Sequence, residues 1–376
     1  MKNFSNHKVL SQILTNRNME GPNFGRGTTA FEHDIEKIWL TVNRTCNFRC
    51  PYCYAETTDY KNEMPLSMAK KLISFAKDMG AKSVILIGGE PLLYSKLEET
   101  VSYIVNNGMK VVVVTNGTEI RKKRIQDLID DNKINSIGFS LKGWDAQSYL
   151  EQTKVNSFPQ VTEAISVFAK SAVGGSYSFV ITKQTHDKLR QVAELIKHDT
   201  KRKLKLIFCN PIVWKNGIID GKEMLPINEL VESVIKQYDD INKILQGRLV
   251  LQQSLPSCVW PADFIEHLRA LKQIQFGCNV CSQKGLAFGI QGEVLLCNAI
   301  ADFPIAYFGK DFTDRQSFVA FVNGEDKKEL FHKFFKYPFR QCEDCSKNEA
   351  CLGGCPLKWL FYSAKDCRDL MRTKYE

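Results

Sequence analysis

Three cysteines fall within eight positions of TVNRTCNFRCPYCYAE, residues 41–56: Cys46, Cys50 and Cys53. Their spacing is Cys-x3-Cys-x2-Cys. Thiolates this close can hold an iron–sulfur cluster, which is usually bound by four cysteines. Three leave one iron with an open position, much as a catalytic metal keeps a place for its substrate. A structural zinc ion is the other use for such thiolates, but zinc prefers four protein ligands, and no fourth cysteine or histidine lies nearby in the sequence. A denser set follows later. Cys281 precedes ten residues, Gly292, four residues and Cys297; CEDCSKNEACLGGC then supplies Cys342, Cys345, Cys351 and Cys355, and Cys367 comes last. Cys278 adds an eighth thiol just before Cys281. Eight thiolates suit two four-cysteine clusters, and two interleaved zinc sites would use the same residues.

The rest of the composition narrows the setting. The opening residues MKNFSNHKVLSQILTNRNME mix polar and apolar positions and lack the apolar run of a signal peptide. No stretch approaches the ~20 apolar residues of a membrane helix. A cytoplasmic location and no membrane partner are therefore expected. There, the thirteen cysteines are metal ligands or catalytic groups before they are disulfides, and their odd number argues against a complete disulfide framework. With 44% hydrophobic and 25% charged residues, the chain reads as globular. Net charge is +9, with a local RKKR at Arg121 to Arg124. No DNA-binding motif or aromatic-interleaved basic patch accompanies it. It reads as a solvated helix start or a surface that attracts an acidic peptide, and nucleic acid is not an expected partner.

Between residues 38 and 212, β-branched runs alternate with amphipathic helical stretches. The strands expected are IWLTVN, SVILIG, KVVVVTN, SIGFSL, YSFVITK and KLKLIFC. SMAKKLISFAKDMG and KLEETVSYIVNNG read as helices, the first with Ser67 as N-cap and Gly80 as its stop. Such alternation predicts parallel β-α units. Six are too few for a closed eight-fold barrel, so the expected α/β fold is a partial (β/α)6 TIM-like barrel with its site at the carboxyl ends of the strands. The domains expected are an N-terminal segment (1–37), the barrel (38–212), a helical bridge (213–277) and a cysteine-rich domain (278–376) held together by metal.

CNFRCPYC resembles the signature of radical S-adenosylmethionine (radical SAM) enzymes, with the aromatic Tyr52 before the third cysteine. The resemblance runs through the six-strand region, where short motifs close successive strands: GGEP at Gly88–Pro91, TNG at Thr115–Gly117, SLKG at Ser140–Gly143 and VITK with Thr182 and Lys183. It implies that a [4Fe–4S] cluster on Cys46, Cys50 and Cys53 binds S-adenosylmethionine at its open iron. The cofactor contacts implied are Tyr52, Gly88, Gly89, Glu90, Asn116, Ser140, Lys142 and Thr182, with Glu90 suited to an ammonium. The C-terminal cysteines resemble the SPASM pattern of radical enzymes that modify peptides and some small molecules. That implies auxiliary [4Fe–4S] cluster I on Cys278, Cys281, Cys297 and Cys355, and cluster II on Cys342, Cys345, Cys351 and Cys367. Cys258, before VWP, reads as a buried apolar thiol, and Cys209, closing the sixth strand, as a core thiol or a hydrogen-atom donor.

The expected function is oxidative modification of a ribosomally made peptide, such as crosslink formation. A 5′-deoxyadenosyl radical takes a substrate hydrogen and the auxiliary clusters take the second electron. A precursor peptide and an electron donor such as flavodoxin or ferredoxin are the expected partners. Only 37 residues precede the first strand, so a separate leader-binding protein is expected as well. The alternatives are a small-molecule dehydrogenase acting on a sugar or alcohol, a peptide epimerase using Cys209, and a non-enzymatic metal-binding module. Two departures from the resemblance stand out. Asn298 occupies the place of the basic aspartate of sulfatase maturases, and SLKGWDAQSYLEQT lacks the usual His-Asp and later Arg, which makes Lys142 the candidate for the methionine carboxylate.

Overall fold

Alternating apolar positions in six short runs dictate how the core forms. In the computed structural model, which describes residues 3–15, 19, 31, 33–57, 62–252, 254–275, 277–278, 280, 282–346 and 351–363, those runs are β1 (Lys37–Thr41), β2 (Ser83–Ile87), β3 (Lys110–Thr115), β4 (Ser136–Leu141), β5 (Gly174–Ile181) and β6 (Lys203–Phe208). They pair in parallel and in sequence order. Every second residue is buried: Ile38, Leu40, Val84, Leu86, Val111, Val113, Phe139, Tyr177, Phe179, Leu204 and Leu206. Each such side chain contributes roughly 1.5–3 kcal/mol by leaving water. The helices α2 (Leu66–Asp78), α3 (Leu97–Asn106), α4 (Lys123–Asp130), α5 (Ala146–Thr153), α6 (Phe158–Lys170) and α7 (Leu189–Ile196) lie between consecutive strands and supply the rest of that core; α1 (Asn3–Thr15) precedes them. The other sheet face carries half-buried Trp39, Ile85, Ser140, Ser178 and Lys205, so it is only partly covered.

The sheet extends beyond the six expected strands at both edges. A two-stranded ribbon, β7 (Ile212–Val213) and β8 (Ile219–Asp220), follows β6, and then β9 (Leu249–Gln252) and β10 (Ile274–Gln275) add parallel to the β6 edge. On the opposite edge β11 (Gly285–Phe288) pairs in parallel with β1, followed by antiparallel β12 (Glu293–Leu295) and β13 (Ala306–Tyr307). The described residues thus hold an eleven-stranded sheet. Residues 213–277 carry strands as well as their helices α8 (Ile227–Ile244) and α9 (Ala262–Ala270). Two further helices, α10 (Arg315–Val322) and α11 (Glu325–Phe334), follow β13.

Ser67 does not cap α2. The helix begins at Leu66, with Pro65 in the cap position and its carbonyl accepting from Met68 and Ala69. Proline has the φ a helix start needs and no N–H to lose there. Gly80 does end the helix, at φ +84°, where a Cβ would lie 2.4 Å from Cγ of Asp34. The RKKR segment is consumed internally. Arg121 pairs with Glu163, Lys122 with Glu119, Lys123 with Asp127 at 2.9 Å and Arg124 with Glu98 at 3.2 Å. Among the described residues no helix is long and apolar enough to cross a membrane.

Candidate active site

The loop carrying Cys46, Cys50 and Cys53 is buttoned to the end of β2 by backbone. Gly89 N donates to Asn43 O at 3.0 Å and Glu90 N to Thr45 O at 2.7 Å. Such an approach excludes side chains. A Cβ on Gly88 would lie 2.2 Å from Asn43 Oδ1, and one on Gly89 2.3 Å from Thr45 O. Arg49 then ties the loop to itself, its Nη1 donating to Cys46 O and Phe48 O at 2.8 Å, and its backbone N–H reaches Thr153 O at 2.9 Å. Phe48 N donates to Cys46 Sγ at 3.4 Å, a contact that favours the thiolate.

Burial pushes the Cys46 thiol up to about 11, with the charges of Glu90 and Cys53 adding to it and Lys142 opposing. Cys50, pushed up to about 12 by burial, also feels Lys142, Cys53 and Cys46. The three thiols therefore share one electrostatic site, and ionising them together requires a compensating positive group. Iron in a cluster supplies that charge, and cluster binding would release the thiol protons. The donor set fits a three-cysteine cluster.

Around this loop the strand ends bring most of the other expected residues together. Lys142 Nζ donates to Ser140 Oγ at 2.7 Å and sits 5.6 Å from the centre of the Tyr52 ring. Lys142 N donates to the Tyr149 hydroxyl oxygen at 3.2 Å. Asn116 Nδ2 donates to Asn47 Oδ1 at 2.8 Å, linking the β3 end to the cysteine loop. Thr182 is buried, and its hydroxyl contacts Thr185 Oγ1 at 3.2 Å and accepts from Gln184 N at 3.3 Å, so it closes the β5 turn.

Glu90 is held by protein hydrogen bonds that the motif did not reveal. Its carboxylate is 1% exposed and accepts from Leu92 N at 3.1 Å, Thr115 Oγ1 at 2.6 Å and Asn116 N at 2.7 Å. It is a strut joining the ends of β2 and β3. Burial raises its pKa to about 7 despite those three hydrogen bonds.

Cys209 closes β6, 5% exposed, with its thiol donating to Asn210 O at 3.4 Å and its carbonyl receiving the Lys358 ammonium. Lys358 is a residue that sequence reasoning missed. It is fully buried, and that burial lowers its pKa to about 8 against the pull of Cys209 and Cys355. Its only sequence signal is CPLKW, a cation three residues after a cysteine. Asn298 Oδ1 is buried without a hydrogen-bond partner.

The later cysteines form two groups. Cys297 feels the charges of Cys355 and Cys278 after its own burial, and Cys355 feels Cys278. Cys342 feels Cys351 and Cys345. These influences link Cys278, Cys297 and Cys355 on one side and Cys342, Cys345 and Cys351 on the other; Cys281 and Cys367 lie outside the described residues. Cys258 is not the buried apolar thiol expected. Its residue is exposed and stands with the second group. Among the described residues, no set of three or more His, Cys, Asp or Glu side chains is arranged to hold a single metal ion.

Known proteins bear on this site. Residues 40–196 match the Radical SAM superfamily. The chain is similar to the GTP 3',8-cyclase of Helicobacter pylori (strain J99 / ATCC 700824), 25% identical over 183 residues that cover 47% of this chain and 56% of that protein. It is also similar to the Fe-coproporphyrin III synthase of Methanosarcina barkeri (strain Fusaro / DSM 804), 25% identical over 164 residues, 43% of this chain and 41% of the relative. The chain thus spans about half the length of these curated relatives. Among solved structures, Streptococcus suis SuiB bound to precursor peptide SuiA aligns with TM-score 0.62 and 15% identity, over 93% of this chain and 76% of that one. The enzyme anSMEcpe with bound AdoMet and Kp18Cys peptide aligns with TM-score 0.64 and 16% identity, over 90% and 97%. At these identities the shared property is the fold. The parallel strand order, the cysteine loop at its carboxyl end and the superfamily match together identify residues 40–196 as a radical SAM domain, the catalytic unit of a superfamily of enzymes.

Proposed function

We propose that the chain is a radical SAM enzyme that oxidatively modifies a peptide. The observation carrying this reading is the extent of the fold match. The peptide-bound neighbours align over 93% and 90% of the chain, barrel and cysteine-rich region alike, whereas the cyclase likeness covers 47%.

In this reading Cys46, Cys50 and Cys53 hold the first cluster, and the other cysteine groups hold two auxiliary ones. When bound, the first cluster and S-adenosylmethionine supply an electron and a 5′-deoxyadenosyl radical that removes a substrate hydrogen. The chain's own residues position and shield. Gly88 and Gly89 let backbone carbonyls approach the cofactor ammonium, because Glu90 is committed to Thr115 and Asn116. Lys142, held by Ser140 beside Tyr52, offers its ammonium to the methionine carboxylate. Asn116 fixes the rim against the cysteine loop, and Tyr52 lies near enough to Cys209 to feel its charge. Lys358 joins the barrel rim to the Cys355 loop, which supports a reading with the first auxiliary group beside the substrate. A reduced flavodoxin or ferredoxin would be the electron donor, and a separate leader-binding protein would deliver the precursor.

The sequence likeness to GTP 3',8-cyclases, at 25% identity over the barrel, favours a second reading, a radical reaction on a small molecule. One experiment separates them. The anaerobically reconstituted, reduced protein is given S-adenosylmethionine with either a candidate precursor peptide or GTP. The first reading expects 5′-deoxyadenosine to rise only with the peptide, and the peptide to lose two mass units per event. Turnover with GTP alone would overturn it.

A further inference from the structure

Four cysteines, not three, face one cavity in the C-terminal region. A space of about 190 Å3 is lined by Cys258, Cys342, Cys345 and Cys351, together with Ser257 and Trp260. A single water needs on the order of 10–15 Å3 by this measure, so the space takes a group of many atoms. Cys258 comes from the short helical turn Ser257–Val259, far upstream in the chain. Two hydrogen bonds dock that turn against the cysteine-rich loop: Ser257 N donates to Cys351 Sγ at 3.3 Å across 94 residues, and Cys355 N to Ser254 O at 2.7 Å. N–H donation to a cysteine sulfur is the support a cluster thiolate uses. The hydroxyl of Ser257 and the indole N–H of Trp260 are buried without a protein partner, and inorganic sulfides are acceptors that would satisfy such donors.

We propose that Cys258 is the fourth thiolate of the second auxiliary cluster, with Cys342, Cys345 and Cys351. The ligand that the sequence resemblance had put in this place is Cys367. The proposal rests on the reading of the C-terminal cysteines as iron–sulfur ligands, and on this chain's own placement of Cys258. Binding releases the thiol protons and leaves the four sulfurs as ligands to four irons, with no change in the oxidation state of the protein.

The test uses the full chain, reconstituted anaerobically. Total iron of the unaltered protein comes first: about twelve atoms per chain for three cubane clusters. Iodoacetamide labelling read by mass spectrometry follows, before and after chelation of the iron. Cys258 should label at least tenfold more slowly in the holoprotein than after chelation. The holoprotein of Cys258→Ser should show an altered cluster spectrum by electron paramagnetic resonance, whereas Cys367→Ser should leave it unchanged. If Cys258→Ser fails to fold by circular dichroism, the labelling ratio decides. With about twelve irons present, equal labelling of Cys258 in both states, or a spectrum altered by Cys367→Ser and not by Cys258→Ser, overturns the ligand assignment alone. Only about four irons, or stoichiometric zinc, in the unaltered protein overturns the auxiliary-cluster reading and the assignment with it.

Discussion

Replacing Gly89 by alanine would put a methyl group 2.3 Å from Thr45 O and 2.6 Å from Arg44 O. Van der Waals contact needs about 3.5 Å, so backbone must move by roughly an ångström. The segment that must yield is the one entering Cys46, and it is held by the 2.7 Å bond from Glu90 N to Thr45 O. Overpacking of this kind costs about 1–3 kcal/mol, and a weakened buried hydrogen bond about 1 kcal/mol more. Gly89→Ala should therefore melt roughly 3–5 °C lower. Because the displaced residue adjoins Cys46, the variant should also retain less iron after anaerobic reconstitution and cleave S-adenosylmethionine more slowly. Gly138→Ala is the control: its Cβ would meet Val114 Cγ2 at 3.4 Å, an ordinary contact, in the same sheet. Scanning calorimetry and iron assay on both variants check the reasoning. A Gly89→Ala protein with unaltered melting temperature and iron content would refute the close packing of the β2 end against the cysteine loop.

Three further outcomes follow from the same structure. Asp199 and Arg202 form a buried pair at 3.0 Å, with Tyr177 donating to the carboxylate at 2.9 Å. Asp199→Asn should destabilise the protein by about 3–5 kcal/mol in a urea titration. Burial raises the Asp199 pKa, but the Lys201 N–H, the Tyr177 hydroxyl and Arg202 together hold it below the usual carboxylate value. Its stabilisation is thus complete above about pH 4 and lost as pH falls through the lowered folded value. Glu90 behaves oppositely: its folded pKa near 7 means the native state holds a proton that the unfolded chain has released. Its contribution should decline as pH rises from about 4.5 to 7, and Glu90→Gln should flatten that part of a melting-temperature profile. Cys209→Ala should leave cofactor cleavage and a product two mass units lighter in place. A wild-type product that shows no two-unit loss and gains one deuterium in deuterium oxide, with that product lost in Cys209→Ala, would instead make Cys209 a hydrogen donor.

The six central strands were legible because runs of alternating buried residues take turns with amphipathic helices, as in Ser83–Ile87 followed by Leu97–Asn106. The outer strands were not. Gly285–Phe288 is four consecutive buried residues that pair with Lys37–Leu40, a partner far away in sequence. So short an apolar run has no period to read. The site shows the same division. Spacing alone exposed Cys46, Cys50 and Cys53, since all three ligands sit on one loop. The role of Glu90 was hidden because a motif names a carboxylate and not the donors that reach it; Thr115 and Asn116 do so only once β2 and β3 are paired. Cys258 was misread for a related reason. Apolar Val259 and Trp260 follow it in the chain, and the cysteines it faces arrive through a contact spanning 94 residues.

The central claim is that the loop of Cys46, Cys50 and Cys53 binds a cluster that cleaves S-adenosylmethionine reductively. The most direct measurement is 5′-deoxyadenosine released from S-adenosylmethionine by the reconstituted protein under dithionite with the peptide substrate present, beside the variant with all three cysteines replaced by alanine. The account predicts 5′-deoxyadenosine from the first, and from the variant about four fewer irons and none of the nucleoside. Equal release from the two proteins, or none from an iron-replete wild type, would contradict it.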